Sequence, residues 1–231
     1  MSKRQEIRDR QVRKQRTQNI LIVGAVALVA IVFAVFLIVP ALTPAGPIAD
    51  QAARPPRPQA KFNGAGDPNA PVKIIEYSDF QCPYCDKFSK ETEQQLVDAY
   101  VATGKVYFEY RSFGEFIGPE SLRSAEAAYC AGDQNKFWEM HDLIFANQNG
   151  ENQGAFTDKR LTAFAQKLGL EMGAFNDCFT SSKYAARVKQ DGLDGAKAGV
   201  QATPSFVING KLLEGAQPFS AFKTEIDALL K

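Results

Sequence analysis

Cys82-Pro83-Tyr84-Cys85 is the stretch of this 231-residue sequence whose residue types and spacing most directly imply chemistry. Two cysteines three positions apart lie one helical turn from each other, so their sulfurs can form and break a disulfide. With Cys82 at the start of a helix, backbone N–H groups and the positive dipole end point at its sulfur and favour the thiolate. Pro83 suits a first helical turn because it has no N–H to leave unpaired. Cys85, one turn deeper, is expected to be less exposed. Cys82 is therefore the expected nucleophile and Cys85 its resolving partner. The same spacing also builds half of a zinc site, but a closed site needs four ligands. The other candidates are Cys130, Cys178 and a single histidine, His141, none at paired spacing. No metal and no other cofactor is expected, because a sulfur pair carries two electrons itself.

The elements that must hold this motif follow from periodicity. Val72–Tyr77 (VKIIEY) is an apolar run after a turn-rich stretch and reads as a buried strand leading into the cysteines. A helix is expected from the motif to about Thr103, stopped by Gly104. Lys105–Arg111 (KVYFEYR) reads as a second strand. Helical spacing then recurs at Ser121–Ala131, Lys136–Asn147, Asp158–Leu168 and Lys183–Ala198. Strand patterning returns at Ser205–Asn209, with Asn209-Gly210 as a hairpin signal before Lys211–Glu214. Phe219–Leu230 closes the chain as an amphipathic helix. The order is strand, helix, strand, helical block, hairpin, helix, which is an α/β pattern.

Glu76-Tyr77-Ser78-Asp79-Phe80-Gln81 before the cysteine motif, the helical block, and Gly-Val-Gln-Ala-Thr-Pro-Ser-Phe-Val-Ile-Asn-Gly at 199–210 together resemble the DsbA-like thiol–disulfide oxidoreductases. The resemblance covers about residues 62–231. It implies a thioredoxin fold with an inserted helical subdomain at about 117–200, and a dithiol oxidase acting through Cys82 and Cys85. It implies that Pro204 is a cis-proline facing the active-site sulfurs, with the Thr203 backbone, Pro83 and Tyr84 forming the surface that meets substrate. Glu76 matches the family's acidic residue beneath the site, with a proton-transfer role to or from Cys85 if it is buried; otherwise it is an ordinary carboxylate paired with a neighbouring lysine. Cys130 and Cys178 match a pair that staples the insert in two-disulfide members; otherwise they are two buried free thiols. Tyr84 departs from the His of the most oxidising members, so the thiolate receives no side-chain cation there. A reductase or isomerase is the alternative within the same chemistry. A copper-binding chaperone using Cys82, Cys85 and His141 is the alternative from a different class. Helical spacing, however, sets His141 beside Phe137, Ile144 and Phe145, a stripe that reads as core.

The flanking sequence sets where this chemistry is expected. Ile20–Val39 is apolar or Gly throughout. At 1.5 Å per residue it spans roughly 30 Å, a bilayer's hydrocarbon thickness. A cleaved signal peptide has a shorter apolar core of about 7–15 residues. Residues 1–19 carry seven basic side chains (Lys3, Arg4, Arg8, Arg10, Arg13, Lys14, Arg16) against Glu6 and Asp9, which keeps that end cytoplasmic. The remainder holds 20 basic and 24 acidic residues, so no basic surface for nucleic acid is expected on the folded part. Six of the 12 prolines fall between Pro40 and Lys61, a composition expected for an extended linker. The expected organisation is a cytoplasmic segment 1–19, a transmembrane anchor 20–39, a Pro-rich linker 40–61 and an extracytoplasmic domain 62–231. Expected partners are reduced or misoxidised extracytoplasmic proteins and a membrane quinone-linked thiol reoxidase.

Overall fold

The structure, a computed structural model, describes residues 16, 19, 21, 23–36, 46–114 and 116–231. Most of the basic segment 1–19 lies outside the described residues, as do positions 20, 22 and 37–39 of the expected anchor. Its described part, 23–36, is helical, with apolar side chains such as Val29, Phe33 and Phe36 exposed. Among the described residues no helix is long and apolar enough to cross a membrane.

Residues 45–231 form one compact unit around a five-stranded sheet. Its central strand, β2 (Val72–Ser78), is flanked by parallel β3 (Val106–Ser112) and antiparallel β4 (Ser205–Ile208). A two-residue β1 (Gly64–Ala65) edges β3, and β5 (Lys211–Glu214) edges β4. In β2, Val72, Ile74 and Glu76 are buried while Lys73 and Ile75 are half-buried, the period-two pattern of a strand facing a core. Asn209 and Gly210 both take positive φ, 44° and 89°, which is the turn geometry that joins β4 to β5 directly.

Parallel β2 and β3 need a crossover, and the helix beginning at the cysteine motif supplies it. It starts as α1 (Pro83–Phe88) and continues through π-helical Ser89–Glu93, α-helical Gln94–Leu96 and π-helical Val97–Val101. Gly104, at φ 72°, follows its end. The helical block comprises α2 (Pro119–Gly132), α3 (Phe137–Ala146), α4 (Asp158–Lys167), α5 (Met172–Thr180) and α6 (Ala185–Lys197). Helix α7 (Phe219–Leu229) returns to the sheet. Sequence patterning anticipates all of these, α5 as a short helical piece around Cys178 without bounds. The Glu171 carboxylate caps α5, accepting from the N–H groups of Gly173 and Ala174 at 2.8 and 2.6 Å. A disulfide joins Cys130 of α2 to Cys178 of α5.

The structure changes the reading of the linker. Residues 46–57 form neither helix nor strand, as their prolines require, and a turn follows at Pro58–Gln59, but the segment lies on the domain as a strap. Asn147 exchanges hydrogen bonds with both main-chain groups of Ala49, at 2.8 and 3.1 Å. Arg57 is buried, and Ile48 packs against the core. The compact unit thus takes in the described residues 46–61 as well as those from 62 onward. Charge pairing and apolar contact hold this strap, and neither is visible in its composition.

Candidate active site

Cys82 occupies the N-cap of α1 with extended backbone (φ −73°, ψ 120°), and Pro83 takes the first helical position. The Cys82 carbonyl accepts from the N–H groups of Cys85 and Asp86, both at 3.1 Å. Its own N–H donates to the Asp79 carbonyl at 3.0 Å, and Asp79 N–H reaches the Cys85 sulfur at 3.5 Å. Asp79 thus ties the loop after β2 to both cysteines. Gln148, just beyond α3, braces the same loop by donating to the carbonyls of Phe80 (2.8 Å) and Cys82 (3.1 Å).

The Cys82 thiol lies 3.3 Å from the carbonyl oxygen of Thr203, and the Thr203–Pro204 peptide is cis. Cys82 is sheltered, at 6% exposed, against 0% for Cys85 and 66% for Tyr84. Both sulfurs are free thiols. A hydrogen bond from the Cys85 thiol pulls the Cys82 pKa down to about 6. Burial opposes it, while Thr203 and the N–H groups of Cys85 and Tyr84 assist. Burial, reinforced by the neighbouring Cys82 sulfur, pushes Cys85 well above the ordinary thiol range. One sulfur of the pair is acidic and the other keeps its proton, an asymmetry suited to exchange through Cys82.

Glu76 is buried on β2, and its Oε2 has no hydrogen-bond partner. Burial and then the charge of Glu93 push its pKa up to about 8. Asp79 is also buried, and desolvation raises it to about 6 against a hydrogen bond from Gln81 N–H. Two carboxyl groups therefore stand near the cysteines in environments that favour their protonated forms.

Glu93, Arg57 and Asp142 form a buried charge cluster behind the site. Arg57 donates Nε and Nη2 to Glu93 Oε1 at 2.9 and 2.6 Å, and Nη1 and Nη2 to Asp142 at 3.0 and 2.7 Å. Asp142 Oδ1 also pairs with His141 Nδ1 at 2.9 Å. Burial opposes the Asp142 charge, but His141 and Arg57 hold its carboxyl well below the usual range. The His141 ring is enclosed by Phe80, Tyr110, Phe137, Trp138 and Phe145. Among the described residues, ligand-type side chains within reach of one metal ion are Glu93, His141 and Asp142, and Arg57 bonds both carboxylates. His141 does not join the cysteines in that group, so a copper site built from Cys82, Cys85 and His141 is not assembled.

The structure thus brings Cys82, Cys85, Glu76, Thr203 and Pro204 into one neighbourhood, while Cys130 and Cys178 form a bridge in the helical block. Sequence reasoning did not assign Asp79, Arg57 or Glu93. Asp79 lies inside the motif that carries the resemblance. Glu93 sits on a helix stripe with Ser89, Leu96, Val97 and Tyr100, all buried, and that spacing was its available signal. Arg57 had none, because an arginine among prolines reads as solvated linker.

A parallel strand–helix–strand with its cysteine pair at the helix start, completed by a hairpin with a cis-proline and interrupted by helices, defines a DsbA-type thioredoxin fold. The chain belongs to the thioredoxin family: the family model described as Thioredoxin matches residues 63–228. A probable disulfide bond formation protein D of Bacillus cereus is 33% identical over 171 residues, covering 72% of this chain and 77% of that protein. An Na(+)/H(+) antiporter NhaA 1 of Salinispora arenicola is 32% identical over 163 residues, 70% of this chain, and the match spans 24% of that relative's length. Oxidised BdbD from Bacillus subtilis superposes with a TM-score of 0.67 at 23% identity, over 79% of this chain and 99% of that one.

Proposed function

We propose that the chain is a thiol–disulfide oxidoreductase that oxidises dithiols to disulfides in proteins outside the cytoplasm. The observation that carries this reading is the asymmetry of the sulfur pair beside the Thr203 carbonyl, with Cys82 acidic and Cys85 buried. A reduced form stabilised as thiolate makes the corresponding disulfide an oxidant. Tyr84 contributes no charge, and the thiolate is supported instead by the Cys85 thiol, Thr203 and the first N–H groups of α1.

In the oxidised enzyme a substrate thiolate attacks Cys82 Sγ. The Cys82–Cys85 bond breaks as the mixed disulfide forms, and the Cys85 sulfur leaves with the bonding pair. Glu76 supplies its proton to that sulfur, which otherwise would be a buried, poorly solvated anion. The substrate's second thiolate then attacks its own mixed-disulfide sulfur and displaces Cys82 as a stabilised thiolate. The product carries the new disulfide, and the enzyme retains two electrons. A membrane quinone-linked reoxidase accepts those electrons and restores the Cys82–Cys85 bond. Pro83, Tyr84, the Thr203 backbone and Pro204 form the surface against which the substrate segment lies.

The apolar sequence 20–39 and the exposed apolar side chains of helical 23–36 support a single membrane anchor, with the basic segment 1–19 cytoplasmic. The name of the Bacillus cereus relative, a probable disulfide bond formation protein, supports the oxidative direction. Equilibrating the Cys82–Cys85 pair in glutathione buffers tests it. A potential well above thioredoxin's, which is about −270 mV, is expected. A value at or below thioredoxin's would replace the oxidase reading with a reductase.

A further inference from the structure

The seam behind Glu76 carries an inference that builds on the proton role given to Glu76 above. On the sheet, Glu76 lies opposite Tyr110 on one side and Phe206 on the other. The Tyr110 ring packs against Phe137 and His141 of α3, at 5.3 and 5.4 Å. The Phe206 ring packs against Phe88 of α1 at 4.5 Å. The Glu76 side chain therefore enters the core between α1 and α3. Arg57 closes that same seam, bridging Glu93 on the continuation of α1 to Asp142 on α3. Glu93 is 1% exposed, so its charge is poorly screened from its neighbours.

We propose that Glu93, clamped by Arg57 of the strap, is a positioning residue for thiol exchange: its fixed negative charge keeps the Glu76 proton in place until the Cys85 sulfur leaves. The proton then passes from Glu76 to that sulfur, giving a Glu76 carboxylate and a Cys85 thiol. When the disulfide re-forms, Cys85 gives up the proton and Glu76 recovers it, so the cycle balances. Glu93 touches no reacting atom and acts only through Glu76. The strap that precedes the sheet thereby becomes part of the redox machinery, because it delivers the guanidinium of Arg57, with that of Arg54 at 3.4 Å, that makes a buried carboxylate at Glu93 tolerable.

Several groups face Glu76 from the elements around it. They are Glu93 on the continuation of α1, Cys82 and Cys85 at the start of α1, Ser78 of β2, Tyr110 of β3 and Arg57 of the strap; Asp79, His141 and Asp142 lie beyond these, Arg54 of the strap also pairs with Glu93, and β4 presents the apolar Phe206. Of these, Glu93 is the strongest charge acting on Glu76, with Arg57 opposing it less strongly. Removing the Glu93 charge should thus release the Glu76 proton at lower pH.

Glu93→Gln in the full chain keeps an oxygen for Arg57 and removes the charge. The readout is the pH dependence of Cys85 release from a mixed disulfide formed at Cys82, measured also in Glu76→Gln. The limb belonging to Glu76 should disappear in Glu76→Gln and move down by roughly one pH unit in Glu93→Gln. A lowered urea midpoint with the limb unmoved would mean that Glu93 is merely structural and would overturn the proposal while leaving the Glu76 role intact. A limb that survives in Glu76→Gln would remove that role and the proposal with it. If Glu93→Gln does not fold, the double variant R57Q/E93Q removes both charges. A smaller downward movement is then expected, and no movement overturns the proposal.

Discussion

The sulfur of Cys82 lies 3.3 Å from the carbonyl oxygen of Thr203, a residue 121 positions later in the chain. Antiparallel pairing of β4 against β2 creates this approach: Ser205, just after the cis-proline, sits opposite Tyr77, just before the cysteine loop. The Cys82 sulfur is thus held between the start of one helix and the start of a distant strand.

The Cys82 thiolate should titrate near pH 6 in the reduced protein. Alkylation rate against pH, with mass spectrometry assigning the site, reads this directly. Reactivity is expected to rise through pH 6 and level off above it, because the thiolate is the nucleophile. Cys85→Ala removes the thiol that donates to this sulfur, so the midpoint should move up. A midpoint near that of a free thiol in the parent protein would contradict the geometry described above.

Cys82→Ala should abolish exchange, whereas Cys85→Ala should accumulate mixed disulfides at Cys82, since no resolving thiol remains. Non-reducing gels of each variant incubated with a reduced dithiol protein separate the two outcomes. Mixed disulfides at Cys85 in the Cys82 variant would reverse the assigned roles.

Glu76 gives stability a specific pH dependence. Its folded-state pKa is about 8 against 4.5 for an ordinary carboxyl, so the folded chain holds a proton that the unfolded chain releases. Stability from this group is therefore lost as pH rises from 4.5 to 8. Glu76→Gln should flatten that slope and gain on the order of 3 kcal/mol relative to the parent at pH 8 compared with pH 5. Urea unfolding at the two pH values measures it, and equal differences at both would argue against a buried, protonated carboxyl.

The Cys130–Cys178 bridge closes a loop with a sequence separation of 48. Replacing both cysteines with alanine should lower stability by about 4 kcal/mol through the entropy of the unfolded chain, less any native strain. Exchange at Cys82 should persist where the variant remains folded. An unchanged denaturation midpoint would show that the bridge does not stabilise the helical block.

The amino-acid sequence alone determined the local parts of this protein. A cysteine pair at helical spacing with proline between, an apolar strand before it and an Asn-Gly turn near the end are short-range signals, and they set the element order and point to Cys82 as the proposed nucleophile. Tertiary structure decided which distant groups meet. The bounds of α5 are not set by periodicity, because nine residues give too few turns to fix its ends. The strap at 46–61 reads as linker because its hold on the domain comes from single long-range contacts, above all Arg57 with Glu93 and Asp142. The protonation of Glu76 likewise depends on burial and on a charge seventeen positions away, brought near by the packing of a helix against the sheet. Propensity and periodicity act over a few residues and so are written locally, whereas burial and electrostatics depend on which surfaces the folded chain brings together.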